Sequence, residues 1–218
     1  MKMSSLNHKK RVLVLGKNNI AIECCDILLN NKNFEVVACV PNSNDSGKDG
    51  WQKSFIKYAK EKNLHILNIK NIKSDASIKE LYNLKLDFIF SFQFDQIISQ
   101  KVIDIPGNGA INLHFSPLPK YRGVSPIAWA LINGEKTYGV TLHCMDPGVD
   151  TGDIISQSIF NIESLNNAKE LYEACEKSGI KLFNQTLDKL ISKNLTIKVQ
   201  NNSEAIYYSK GSINFEKS

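Results

Sequence analysis

Asn112 and His114 stand two residues apart near the end of the run Gly109-Ala-Ile-Asn-Leu-His114. On a strand, that spacing turns both side chains to one face. An open α/β sheet places its ligand crevice where such a polar pair emerges from an otherwise apolar strand. Pro117 and Pro119 then stop regular structure and stiffen the following loop. Further on, Asp146 to Asp153 holds two glycines and three acids in eight residues. A loop of that composition can bring a carboxylate toward a histidine while exposing backbone groups to a ligand. Taken singly, a strand histidine is an ordinary hydrogen-bonded residue and an Asp-Gly loop an ordinary turn. Their conjunction points to chemistry.

The elements that must position these groups follow from the apolar patterning. Arg11–Leu15, Phe34–Val40, His65–Ile69 and Asp87–Phe92 are expected strands. Between them, Ile20–Leu29, Trp51–Lys62 and Asp75–Leu84 are expected helices, the last with Asp75 as its N-cap. Alternation at this spacing predicts right-handed βαβ units and a Rossmann-like, open, mostly parallel sheet with helices on both faces. Strands over 109–114, 138–145 and 153–162, a helix over 125–132 and a long helix over 166–192 complete the expected domain, residues 1–195. Residues 196–218 form a polar tail with one apolar island, Ala205–Tyr208. The turn after the first strand, Gly16-Lys-Asn-Asn-Ile-Ala21, has one glycine where a dinucleotide fingerprint needs three, which argues against nicotinamide or flavin there.

With 218 residues, 42% hydrophobic residues and a net charge of +5, the composition is that of an ordinary globular domain with a weak preference for anionic partners. Lysines are scattered rather than clustered, so no nucleic-acid tract is expected. Five cysteines without a C-x-x-C pair fit reduced buried thiols better than a zinc site or a disulfide framework. No stretch has the character of a signal peptide or a membrane span, so a soluble cytoplasmic protein is expected.

The segment from Ile111 to Ile155 resembles the signature region of formyltransferases that use N10-formyltetrahydrofolate. The resemblance rests on Asn112-Leu-His114, Leu118-Pro-Lys-Tyr-Arg-Gly123, Pro126, Gly134-Glu135, Gly139-Val-Thr-Leu-His143 and Met145 to Asp153. It implies a catalytic trio of Asn112, His114 and Asp150, with no metal. Asn112 and protonated His114 would donate to the oxyanion formed when an amine attacks the formyl carbon. Asp150 would keep His114 charged and could accept the amine proton through a water. It also implies that the pterin lies against Ser91, Phe92, Gln93, Phe94 and Ile97 on one side, and Val149 and Asp150 on the other. Among acceptors, the resemblance is greatest to enzymes acting on dTDP-linked amino-dideoxy sugars, which serve surface polysaccharide (lipopolysaccharide O-antigen) synthesis. The two dozen residues after the long helix are too few for the extra barrel of tRNA-modifying members. Glycinamide ribonucleotide and methionyl-tRNA remain the alternative acceptors, and a catalytically inactive nucleotide-binding protein the remote one. Lys120, Tyr121, Arg122, Pro126 and Trp129, with Tyr207, Tyr208 and Lys210 of the tail, are the expected sugar-nucleotide contacts. The tail could also serve a homodimer.

Overall fold

Val12, Leu13, Val14 and Leu15 are all fully buried, as a strand covered on both faces requires. They form the centre of β1 (Lys10–Gly16) in the computed structural model, which describes residues 8–165, 167–192 and 194–209. Two compact units divide the chain, one ending at Ala110 and the other beginning at Ile111.

In the first unit β1 lies between β2 (Phe34–Pro41) and β3 (Phe88–Phe92), parallel to both. Helix α1 (Asn18–Asn30) buries Ile20, Ala21, Cys24, Cys25 and Leu28, a one-sided stripe at helical spacing. Phe34, Phe88, Phe90 and Phe92 form a ring cluster with centroids 5.5–6.4 Å apart. All four are at most 2% exposed, and each such ring contributes about 1.5–3 kcal/mol by leaving water. Helix α2 (Phe55–Glu61) is shorter than the expected 51–62 because Ser54 caps it, its Oγ accepting from the Lys57 N–H at 3.0 Å. Helix α3 (Asp75–Asn83) is capped by Ser74 rather than Asp75, and α4 (Gln100–Ile103) is a single turn. The strand expected over 65–69 reduces to one parallel bridge between Ile66 and Cys39.

The longer strands of the second unit pair antiparallel. Strand β4 (Ala110–His114) pairs with β6 (Thr137–Cys144), and β6 pairs with β7 (Ile154–Asn161). The 25-residue helix α6 (Ala168–Ser192) packs on β6 and β7 through a face that includes Leu171, Cys175, Phe183 and Leu187. Between β4 and β6 lie the two-residue strand β5 (Arg122–Gly123) and helix α5 (Pro126–Ile132). The apolar island of the tail becomes strand β8 (Tyr207–Tyr208), which pairs in parallel with β5. The α/β fold expected from the sequence is thus present, with β1, β2 and β3 as its parallel strands in the first unit.

Candidate active site

The antiparallel register of β4 and β6 sets Asn112 opposite His143 and His114 opposite Thr141. Directly opposed residues share a face of the sheet. Asn112, His114 and His143 therefore gather on one side of the second unit. A bulge between Leu142 and His143, where β6 changes register against β7, falls beside this cluster; such bulges re-aim side chains at functional sites.

Hydrogen-bond chemistry fixes the proton positions. The Tyr121 carbonyl lies 2.9 Å from His114 Nε2, and a carbonyl only accepts, so Nε2 carries a hydrogen. By the same argument His143 Nδ1 donates to the Cys144 carbonyl at 2.8 Å. Asn112 Nδ2 and Asp150 Oδ1 both approach His143 Nε2, at 3.2 and 3.5 Å: the neutral ring accepts there from Asn112, and the charged ring donates there to Asp150. The bond from Asn112 uses one of its two amide hydrogens and leaves the other for a ligand.

Asp150 joins the two imidazoles. Its Oδ1 is 3.6 Å from His114 Nδ1 and 3.5 Å from His143 Nε2. Its Oδ2 accepts the Gly123 N–H at 2.9 Å. Burial by itself would raise the Asp150 carboxyl. The charge of His114, the bond and charge of His143 and the Gly123 N–H outweigh it, holding the carboxyl well below the usual carboxylate range. Asp150 adopts a left-handed backbone, φ 55°, a conformation that non-glycine residues keep only where the surroundings impose it. Those surroundings include Gly152, where a Cβ would overlap the Cys144 carbonyl oxygen. They also include Asp146, whose Oδ1 accepts from Thr151 Oγ1 at 2.5 Å and from the Gly148 N–H at 3.1 Å.

The loop between His114 and α5 is held as firmly. Tyr121 is 1% exposed and also left-handed at φ 60°. Its hydroxyl donates to Glu135 and accepts from Asn133 Nδ2, which also reaches the Tyr208 hydroxyl. Tyr208 stacks between Trp129, at 4.0 Å, and Tyr121, at 5.8 Å. Gly123 has φ 92°, and a Cβ there would overlap the Tyr208 carbonyl oxygen. The Arg122 and Val124 N–H groups donate to the Ile206 and Tyr208 carbonyls at 2.8 and 2.9 Å.

The trio expected from the sequence is thus brought together, with one difference in detail. Once charged, His114 would carry hydrogens on both nitrogens, and both already face acceptors of its own chain, Tyr121 and Asp150. It offers its charge to a ligand rather than a spare N–H. His143 was not singled out from the sequence, although it lies within a quoted motif; its partnership depends on a cross-strand register that local pattern does not encode.

The expected sugar-nucleotide contacts divide. Lys120 and Tyr207 are exposed, and Trp129 and Pro126 half-buried. Arg122 departs from the expectation of an anion-binding charge. Its side chain is 7% exposed and bonded to Gln200 and Asn202. Its Nε and Nη2 donors are engaged inside the chain because the tail folds back over β5. Tyr121 likewise acts through its backbone and its buried hydroxyl. Lys210 lies outside the described residues. Of the expected pterin contacts in the first unit, Ser91 and Phe92 are buried in β3, and Phe94 is half-buried. Gln93 is left-handed at φ 58°, with its carbonyl accepting from Asn42 Nδ2 at 2.9 Å. Ile97 is 64% exposed. In the second unit Val149 is 37% exposed beside Asp150. Among the described residues no helix is long and apolar enough to cross a membrane.

Comparison with known proteins adds to this geometry. A family model described as Formyl transferase matches residues 10–187. The methionyl-tRNA formyltransferase of Clostridium tetani is 35% identical over 204 residues, which make up 91% of this chain and 65% of that protein. Its counterpart in Clostridioides difficile is 32% identical, over 95% of this chain and 70% of its own length. The chain therefore spans about two thirds of these relatives. Among solved structures, WlaRD is a sugar 3N-formyl transferase whose structure was determined in the presence of dTDP and 5-N-formyl-THF. It superposes with a TM-score of 0.82 and 36% identity, covering 95% of this chain and 72% of that one. The N-formyltransferase from Helicobacter canadensis, in complex with folinic acid and dTDP-3-aminofucose, gives 0.80 and 34%, covering 94% and 72%.

Proposed function

This chain belongs to the formyl transferase family, and we propose that it moves the formyl group of N10-formyltetrahydrofolate onto the amine of a dTDP-linked amino-dideoxy sugar. The observation that carries this reading of the acceptor is the likeness, along nearly the whole chain, to a sugar 3N-formyl transferase at 36% identity and to an N-formyltransferase in complex with dTDP-3-aminofucose at 34%.

The reaction follows from the site. The neutral amine attacks the formyl carbon, a C–N bond forms, and negative charge develops on the carbonyl oxygen. The uncommitted N–H of Asn112 donates to that oxygen, and the charge of His114 adds to its stabilisation. A donor of this kind lowers the barrier by about 3–4 kcal/mol. Asp150, held ionised, takes the proton that the amine must lose, directly or through a water. As the intermediate collapses, the bond from the formyl carbon to N10 breaks. The proton ends on N10, so tetrahydrofolate leaves as the neutral amine. Exposed Lys120 and Tyr207 serve the charged and aromatic parts of the nucleotide. A cytoplasmic homodimer working in surface polysaccharide synthesis goes with this reading.

The curated relatives support a second acceptor, initiator methionyl-tRNA, because the two methionyl-tRNA formyltransferases described above are 35% and 32% identical to this chain. Competition separates the two. A dTDP-amino-dideoxyhexose, initiator methionyl-tRNA and glycinamide ribonucleotide are offered at equal concentration with limiting formyl donor, and the products are resolved by mass. The formyl group is expected on the sugar nucleotide. Its appearance mainly on tRNA establishes the second reading, and its appearance on none of the three removes formyl transfer to these acceptors.

A further inference from the structure

Residues 196–209 follow the part of the chain that the family model matches, which ends at residue 187. One of them, Gln200, is 5% exposed and uses every hydrogen-bonding position of its amide. Its Nε2 donates to the Asp150 carbonyl at 2.9 Å and to the Gly152 carbonyl at 2.6 Å. Its Oε1 accepts from Arg122 Nε at 3.1 Å and from Nη2 at 2.7 Å. Arg122 has donors only, so the amide cannot be turned the other way. Nη2 also reaches Asn202 Oδ1 at 3.0 Å, which ties the guanidinium to the same segment. A guanidinium against an amide oxygen polarises the amide and strengthens its N–H donors.

The consequence falls on Asp150. The peptide from Arg122 to Gly123 grips this residue twice: the Gly123 N–H holds the carboxylate, and the Arg122 side chain, through Gln200, holds the backbone. Asp150 has the left-handed φ that needs such restraint. We propose that Gln200, pinned by Arg122, is a positioning residue that fixes the Asp150 carboxylate between His114 and His143. The inference rests on the formyl-transfer reading only in taking Asp150 as a reacting group.

The test uses the full chain with Gln200→Leu, which removes all four bonds, and Gln200→Glu. The glutamate keeps an acceptor for Arg122 and sets a carboxylate oxygen against the two carbonyls. Turnover and KM for the formyl donor are measured on the sugar nucleotide, and the Asp150 carboxyl is titrated by carbon NMR. In both variants kcat falls by about 10- to 100-fold, as loss of sub-ångström placement does, with KM within about 3-fold. The Asp150 titration moves up toward the ordinary carboxylate range. If folded variants keep both kcat and the wild-type titration, the proposal is overturned. If Gln200→Leu does not fold, Gln200→Glu decides, with Arg122→Lys beside it. If the wild-type protein formylates no acceptor, the functional reading fails while the titration still decides the role of Gln200.

Discussion

Replacing Asp150 by asparagine removes one charge and little volume, so its effect can be worked from two distances and the burial of the side chain. The carboxylate lies 3.6 Å from His114 Nδ1 and 3.5 Å from His143 Nε2, with its side chain 13% exposed. At an effective dielectric of about 20, a charged imidazole at that separation attracts it by roughly 4–5 kcal/mol, a ceiling that burial partly offsets. The folded carboxyl sits well below its ordinary value, whereas in the unfolded chain it titrates near about 3.9. A depressed folded pKa means that the stabilisation is fully present above the unfolded value and is lost as pH falls toward the folded one. Below about pH 4 the unfolded chain therefore binds a proton that the folded chain refuses. Wild-type stability should then drop by up to about 1.4 kcal/mol per pH unit more steeply than that of Asp150→Asn. Urea unfolding of both proteins from about pH 5 to about pH 3 measures this, and the two stability curves should converge toward acid. A gap between them that stays constant over that range would refute the assignment of Asp150 as a carboxylate held ionised by the histidines.

Three further outcomes are expected. Asn112→Ala and His114→Ala should each lose about two or more orders of magnitude in kcat, measured on the formylated acceptor, while far-UV circular dichroism keeps the wild-type form. Gly123→Ala forces a left-handed alanine whose Cβ overlaps the Tyr208 carbonyl; thermal unfolding should show a loss of at least about 2 kcal/mol. Cys39 is buried and its thiol pushed up to about 12, and burial also raises Cys25 and Cys175. A thiol reagent at mildly alkaline pH should therefore modify these three far more slowly in the native protein than in urea.

Local pattern carried the parallel half of the fold well. Val12–Leu15 and Phe88–Phe92 are short runs, apolar but for Ser91, and buried strands, and Phe34–Val40, also expected as a strand, lies in the partly buried β2. The expectation that Asn112 and His114 share a face needed only the two-residue period of a strand, and both lie on β4. Beyond that period the reading weakened for a physical reason. His143 becomes Asn112's partner through a strand register 31 residues away. Arg122 reads as a surface charge until Gln200, 78 residues later, meets it in the interior. The run at 65–69 has buried apolar residues, Leu67 and Ile69, yet only Ile66 bridges to a neighbouring strand, so composition alone overstated it.

Pairing of β5 with β8 joins Arg122 to Tyr207 and Gly123 to Tyr208 across most of the second unit. On a ribosome the chain is delivered in order, at about 5–20 residues per second, and the cost of closing so long a loop is met only when its far end arrives. The strands of the first unit can pair as they emerge. The peptide that holds Asp150 has no mate until Gln200 and then Tyr207–Tyr208 have left the exit tunnel, some 80 residues after Arg122. The last restraint on the reactive centre is therefore a late event in synthesis, and a nascent chain halted just after α6 would have the β4 and β6 residues that carry its histidines but not the Gln200 contacts that hold the Asp150 backbone.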